Sequence, residues 1–552
     1  MPGATSWVSQ RRPRSPSQPA SSSITARLDW SSAGWVQLTE GAAISAANCS
    51  FRDGRGIGVL QQLVFIIEAM GGRTYPPGCC RLAGSRGRSA LRPNPLPVMN
   101  KETEIKLRAS RDTLAALRDH PLLKKRNKSG WQQRELYNQY YDTATRDLAG
   151  AKVALRVRRD GETYIQTLKS RGQSVAGLSE RNEWEWYLET PALDLSKLDD
   201  SCWPAALAEL DKSLIQPAFT TDFVREYAEI AWGRGKAKVV IEAALDLGKV
   251  LADGREEEIC ELELELRQGE PEALLELAEA LAAELPLMPC DISKAERGYR
   301  LFDESSYDLR LPAPALDAEQ PLDDAFAALA WHLLGSSQRL AEQYRFNGHW
   351  RLLADWLAQL IDLRALLGSL GQAAPRATSH DLRLALDALL EDWRPRLLAG
   401  QDDETARHAA AAQFAEELAG TRWGHFSLAA SHWLLRRGWA AQRSHRGERQ
   451  GAAALSNWLT HQLSDEAGAL NLARYQLQPE DLAEQLPRLE RLLVWLRLAR
   501  TVLEVPETDR LYGELCKLAE LATRPVEAEQ LAARLAQAHT VATLKAWKAL
   551  TK

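Results

Sequence analysis

Two rhythms of polar and apolar residues run along this chain, and they change over between residues 305 and 321. From residue 100 to about 305 the alternation has period two, the spacing of a strand whose residues i, i+2 and i+4 share one face. Glu102-Thr103-Glu104-Ile105-Lys106 sets two carboxylates and an ammonium against Thr103 and Ile105. Leu155-Arg156-Val157-Arg158 puts two guanidiniums on one face, and Thr167-Leu168-Lys169 pairs a hydroxyl with an ammonium. Arg181-Asn182-Glu183-Trp184-Glu185 carries three charges on one face, and Glu242 and Asp246 add two acids to another strand. Glu261-Leu262-Glu263-Leu264-Glu265-Leu266 is the extreme case, with three acids facing one way and three leucines the other.

From about Pro321 the period moves to near 3.6, in Ala- and Leu-rich stretches such as Asp323–His332 and Trp350–Ile361. Breaks at 371–375, 400–403, 447–451, Pro479 and Val505-Pro506 predict an antiparallel helix bundle. Leu311-Pro312-Ala313-Pro314 reads as a stiff joint. Residues 1–98 follow neither rhythm: they hold eleven Arg and no Lys, with nine Pro and eleven Gly. Four segments are expected. Residues 1–98 form an extension outside the fold, with Met99 favoured as the start over a targeting presequence. A strand domain spans 99–305, a Pro-rich linker 306–320 and a helical domain 321–552. All the tunnel candidates precede Gly298, so the strand domain is expected to work without the helical half.

The 552 residues exceed what one hydrophobic core organises. A hydrophobic content of 45% with 26% charged residues excludes a collagen-like or mostly disordered chain. Net charge is −5, so a general affinity for nucleic acid is not expected and any anion site must be built locally. No apolar run is long enough to span a membrane. Seven Cys, of which only Cys79-Cys80 are close together, give neither a disulfide framework nor a zinc pattern, which suits a reducing cytoplasm.

One such strand would be an ordinary solvated sheet face. Several together are different, because acids gather on some strands and bases on others. Three carboxylates in a row repel unless a cation lies among them. A closed barrel with a charged interior resolves this, with acids holding a divalent cation and bases a polyanion. Oxygen ligands without His or Cys select Mg²⁺ or Mn²⁺ over zinc.

Glu102-x-Glu104-x-Lys106 resembles the ExExK signature of CYTH domains, the triphosphate tunnel metalloenzymes. Leu155–Arg158, Thr167-x-Lys169, Arg181-x-Glu183, Thr221-Asp222-Phe223-x-Arg225, Glu242-x-x-x-Asp246-x-Gly248, Cys260–Glu265 and Ser293–Tyr299 follow in that family's order. The resemblance implies an α+β protein: an eight-stranded antiparallel tunnel that binds triphosphates with a divalent metal, followed here by a helical bundle. It also implies an inorganic triphosphatase that cleaves tripolyphosphate to pyrophosphate and phosphate. One metal would hold the phosphates and a second would activate water. Lys106, Arg156, Arg158, Lys169, Arg225 and Lys294 would grip phosphate oxygens. Glu102, Glu104, Glu263 and Glu265 would bind metal. Glu242, Asp246 and Glu261, with Lys294, are the catalytic candidates. Arg181 and Glu183 are either an interior pair or ligand contacts, Glu185 stands behind the ligands, and Cys260 faces outward as a packing residue. Thiamine triphosphatase, class IV adenylate cyclase and non-catalytic polyphosphate binding are the alternatives.

Nine of the ten His fall after residue 320. A helical bundle behind such a tunnel resembles CHAD, the conserved-histidine α-helical domain associated with polyphosphate. The one basic cluster that could serve polyphosphate is His432, Arg436, Arg437, Arg443, His445, Arg446 and Arg449, with a solvated helix end and loop the favoured reading. The ten Trp of this half are expected in the bundle core.

Overall fold

The computed structural model describes residues 100–170, 172–175, 178–233, 239–302, 310–472, 479–503, 507–524 and 527–551. The extension at 1–98, Met99, linker residues 306–309 and the break at Val505-Pro506 lie outside them.

Ten strands form one sheet: β1 (Asn100–Arg108), β2 (Gln132–Asp142), β3 (Ala154–Asp160), β4 (Thr163–Lys169), β5 (Gln173–Val175), β6 (Leu178–Leu188), β7 (Gln216–Trp232), β8 (Val239–Ala252), β9 (Arg255–Gln268) and β10 (Met288–Pro289). The order β1-β9-β8-β7-β2-β3-β4-β6 closes on itself because β6 also pairs with β1. The result is an eight-stranded antiparallel barrel, with β10 and β5 as short additions to β1 and β6.

Register converts the period-two pattern into two surfaces. Lys106 lies opposite Glu263, Arg225 opposite Asp246, Arg156 opposite Thr167, and Lys169 opposite Glu183. The charged positions that the period-two pattern marked therefore share the inside. The alternate positions, among them Ile105, Leu107, Leu262, Leu264 and Ala243, form an outer core. Helices α1 (Arg111–Asp119) and α2 (Glu272–Ala282) cover it with Leu114, Leu117, Leu274 and Leu281. Cys260 belongs to this outer core, as its parity requires.

A third helix, α3 (Lys294–Phe302), stoppers one end of the barrel. Its Ala295 and Leu301 join Leu136, Tyr140, Phe219, Phe223, Val250 and Ile259 in an apolar cluster inside the lumen. The fit is tight, since a Cβ on Gly298 would stand 2.2 Å from the Phe219 ring.

The second half is helical, with α4 (Leu322–Asn347), α5 (Trp350–Ser369), α6 (His380–Ala399), α7 (Glu404–Ala419), α8 (Arg422–Leu435), α9 (Leu455–Leu470), α10 (Leu486–Leu498), α11 (Thr508–Thr523) and α12 (Ala528–Thr543) as its longer elements. Trp356 packs edge-on against Trp393, Phe414 and Trp423 with ring centres 5.0–5.5 Å apart. This is the core role expected of the tryptophans. The bundle also docks on the barrel. Met288 of β10 joins the bundle core, and Leu428 of α8 joins the barrel's outer core. At Gly424 a Cβ would stand 1.9 Å from the Leu287 carbonyl oxygen, so only glycine lets α8 come this close. Nearby, His432 Nδ1 meets Glu279 Oε2 at 2.5 Å.

Candidate active site

Acids and bases occupy opposite walls. The ring order places β6, β1, β9 and β8 on one side and β7, β2, β3 and β4 on the other. On the first wall Glu265 lies opposite Glu104 on one neighbouring strand and opposite Glu242 on the other. Glu102 follows two residues before Glu104. Lys169 Nζ reaches Glu102 at 2.6 Å, and Arg267 touches Glu265 at 2.5 Å and Glu242 at 2.9 Å. Even with Lys106 on Glu104, these cations number three against four carboxylates. Burial and the neighbouring Glu102, Glu242 and Glu104 carboxylates push the Glu265 carboxyl up to about 8, against Arg267. Four carboxylates with unrelieved negative potential and no His or Cys among them suit a hard divalent cation. Glu263, the fourth expected metal ligand, is not part of this set.

Glu263 belongs instead to a buried lattice deeper in the tunnel. Asp246, Glu261 and Glu263 can bring oxygens within 4.8 Å of one another, a metal-like grouping. Cations already sit among them. Lys294 Nζ contacts Asp246 at 2.7 Å and Glu263 at 3.0 Å and also bonds Glu261. Arg225 clasps Asp246 through two bonds of 2.7 Å and reaches Glu263. Burial works to raise the Asp246 carboxyl, but Arg225 and Lys294 overcome it and hold it below its ordinary value. Lys106 bonds Glu104 and lies 3.2 Å from Glu263, linking the lattice to the acidic mouth. Four of the expected phosphate ligands, Lys106, Lys169, Arg225 and Lys294, are thus engaged by carboxylates.

The second wall has the opposite imbalance. Burial, then the Arg156 and Arg225 charges, lower the Arg158 guanidinium to about 10. Arg158 Nε donates to Asn138 Oδ1 at 2.9 Å, and Asn138 Nδ2 donates to Thr221 Oγ1 at 2.9 Å. Arg156 lies 3.8 Å from Glu183, and its buried Nε has no hydrogen-bond partner. These two arginines face the lumen as anion-seeking groups. Glu183 of β6 also sits 3.2 Å from Lys169 of β4, so it meets a cation of the basic wall across that seam, while the strand neighbour of Arg181 is Glu102. Glu185 comes within 3.5 Å of the Thr167 hydroxyl. Burial and nearby Glu258 push the Cys260 thiol up to about 11, leaving it protonated and inert.

Asn138, Glu257, Arg297 and Arg300 were not among the sequence candidates. Asn138 alternates in phase with inward Leu136 and Tyr140, and that phase was the available signal. Arg297 stood inside a quoted motif with no role given to it.

Members of the basic cluster of the helical half are paired with carboxylates. Arg443 and Arg437 turn to Asp323, His432 to Glu279 and Glu272, and His445 to Glu448. Among the described residues no helix is long and apolar enough to cross a membrane.

Residues 100–299 match the CYTH domain family. An inorganic triphosphatase of Haemophilus influenzae is 34% identical over 166 residues, covering 30% of this chain and 46% of that protein. The chain thus spans about half the length of this curated relative. A solved Hippeastrum protein, described as an adenylyl cyclase candidate with a dominant triphosphatase activity, is 24% identical and covers 38% of this chain and 98% of its own, with a TM-score of 0.28. An adenylate cyclase candidate from Bacillus halodurans is 21% identical over 33% of this chain and 91% of its own, with a TM-score of 0.22.

Proposed function

We propose that the CYTH domain at residues 100–299 hydrolyses inorganic tripolyphosphate to pyrophosphate and phosphate with Mg²⁺ or Mn²⁺. One arrangement carries this reading: Glu104, Glu265 and Glu242 stand side by side on one wall of the lumen, and Arg156 and Arg158 project from the strand across the ring. Burial and that crowding raise the Glu265 carboxyl and lower the Arg158 guanidinium. A metal–triphosphate complex presents the matching charges, cation to the acids and phosphoryl oxygens to the arginines.

Glu102, Glu104 and Glu265 would hold the cation, with Glu242 beside them. Bound there, it would neutralise phosphate charge and lower the pKa of a coordinated water. Arg156 and Arg158 bind phosphoryl oxygens, with guanidinium forks that match them. Asn138 fixes Arg158, and Lys169 closes the pocket beside Glu102. Water attacks the terminal phosphorus, the bond to the bridging oxygen breaks, and pyrophosphate leaves. Glu242 accepts the water proton. Lys294, Asp246 and Glu261 act one layer deeper by fixing Arg225 and Glu263. The same tunnel with an organic triphosphate is the competing reading, and a bundle that merely holds polyphosphate is another. The paired arginines of the helical half favour neither.

The strand and helical parts are proposed as two domains, 99–305 and 321–552, joined by a short linker. The described cysteines Cys202, Cys260, Cys290 and Cys516 are free thiols, which supports a cytoplasmic setting. Tripolyphosphate, ATP and thiamine triphosphate assayed side by side with Mg²⁺ and Mn²⁺ test the reading. Phosphate release from tripolyphosphate above the other two supports it. Preference for an organic triphosphate, or no turnover, refutes it.

A further inference from the structure

The stoppered end of the tunnel carries its own ion lattice, and part of it comes from the helical half. Arg297 donates to Glu257 at 3.0 Å and to Glu261 at 2.6 Å. Arg300 holds Glu257 through bonds of 3.0 and 2.6 Å and also reaches Glu342 of α4 at 3.1 Å. Arg108 of β1 grips the same Glu342 at 3.0 and 2.6 Å and lies 3.4 Å from Glu257. Glu342 is 2% exposed.

Among the described residues of the barrel and its stopper, this floor contains five cations: Arg108, Arg225, Lys294, Arg297 and Arg300. It contains four carboxylates: Asp246, Glu257, Glu261 and Glu263. Lys106 also touches Glu263 but is bonded to Glu104, so this pair adds no net charge to the count. Arg345 also touches Glu342, but it is half-buried and partly screened by water. The described residues of the barrel and stopper are therefore one negative charge short, and Glu342 supplies a carboxylate among them.

We propose that Glu342 is a positioning residue for the tunnel: the helical half completes the floor by donating one carboxylate. The coupling runs through shared acids. Arg108 and Arg300 divide themselves between Glu342 and Glu257; Glu257 shares Arg297 with Glu261; Glu261 shares Lys294 with Asp246 and Glu263. If Glu342 loses its charge, Arg108 and Arg300 draw on Glu257, Arg297 shifts toward Glu261, and Lys294 is released toward the lumen. A partly satisfied buried network rearranges as a unit. The helical half then acts on the active site through charge and not only by supporting it.

The inference takes its activity readout from the triphosphatase reading; its melting readout does not depend on that reading. Glu342→Gln keeps the shape and removes the charge. In the full-length protein it should change KM for tripolyphosphate about fivefold or more, within the range of coupling between linked sites. KM should fall, because the freed floor cation attracts the polyanion. A purely structural role would lower kcat through lost active enzyme and leave KM alone. Glu342→Asp should retain the native KM, and Glu342→Gln combined with Arg300→Gln should move it back toward wild type. If Glu342→Gln is too unstable to assay, the double variant must still fold and must melt higher than Glu342→Gln. Unchanged KM in Glu342→Gln, or additive destabilisation in the double variant, overturns the proposal. Wild-type protein that turns over no triphosphate refutes the functional reading alone, and the melting comparison then decides the role of Glu342.

Discussion

Glu265→Gln should stabilise the metal-free protein at pH 8 while weakening its grip on metal. Glu265 stands at the acidic mouth with its carboxyl pushed up to about 8, against 4.5 when unperturbed. The folded state therefore keeps a proton that the unfolded chain has released. Below about pH 4.5 both states are protonated and Glu265 has no effect on stability. Stability is lost as pH rises from there through about 8, where the carboxylate ionises among Glu102, Glu242 and Glu104. At about 1.4 kcal/mol per pKa unit the full shift corresponds to an upper bound near 5 kcal/mol. The side chain is 19% exposed and lies at a solvated mouth, so roughly 2 kcal/mol is the working figure. The assay is thermal melting in EDTA from pH 5 to 8.5, with and without Mg²⁺ or Mn²⁺. Wild type should lose stability with rising pH in EDTA and regain it with metal. The Gln variant should melt a few degrees higher than wild type at pH 8 in EDTA, match it at pH 5, and gain less from metal. Metal affinity should fall by about 10–100-fold. Equal metal gains in both proteins, or a variant that melts lower than wild type in EDTA at pH 8, would refute the argument.

Glu104→Gln should lose activity that excess Mn²⁺ partly restores, whereas Arg158→Ala should show a defect in substrate concentration dependence that metal does not mend; steady-state kinetics with metal titration separates the two. Asn138→Ala should raise KM for tripolyphosphate and cost about 1–3 kcal/mol in urea unfolding, because it frees Arg158 and strands the buried Thr221 hydroxyl. Trp356→Ala should destabilise the bundle by about 3–5 kcal/mol in the same unfolding assay, since its ring meets three others in a sealed core.

The barrel was legible because period-two alternation marks an inside and an outside without knowledge of partners. Glu261 to Leu266 alone shows which residues share a face. Depth along the tunnel was less visible. Glu242 and Asp246 share a strand and a face, yet four residues of strand separate them by roughly 13 Å. One stands at the mouth with the metal-type acids, and the other is enclosed by Arg225 and Lys294. Lys294 was grouped with the phosphate ligands on charge type. Its partners come from β8 and β9, and only tertiary register brings them around it. Asn138 was hidden as one amide among tyrosines. Glu342 lies in an Ala- and Leu-rich helix more than two hundred residues from Arg108, with nothing local to mark it.

Among the described residues, α3 and the apolar side chains around Phe219 fill one end of the lumen, and a linear polyanion has no route past them. In the proposed reaction both products must leave by the opening the substrate used. Traffic through a single opening imposes an order: pyrophosphate must clear the arginine wall before another triphosphate can enter. Pyrophosphate should therefore inhibit competitively. For the same reason a long polyphosphate can present only its terminal units, so its consumption should follow the number of chain ends rather than the mass of phosphate.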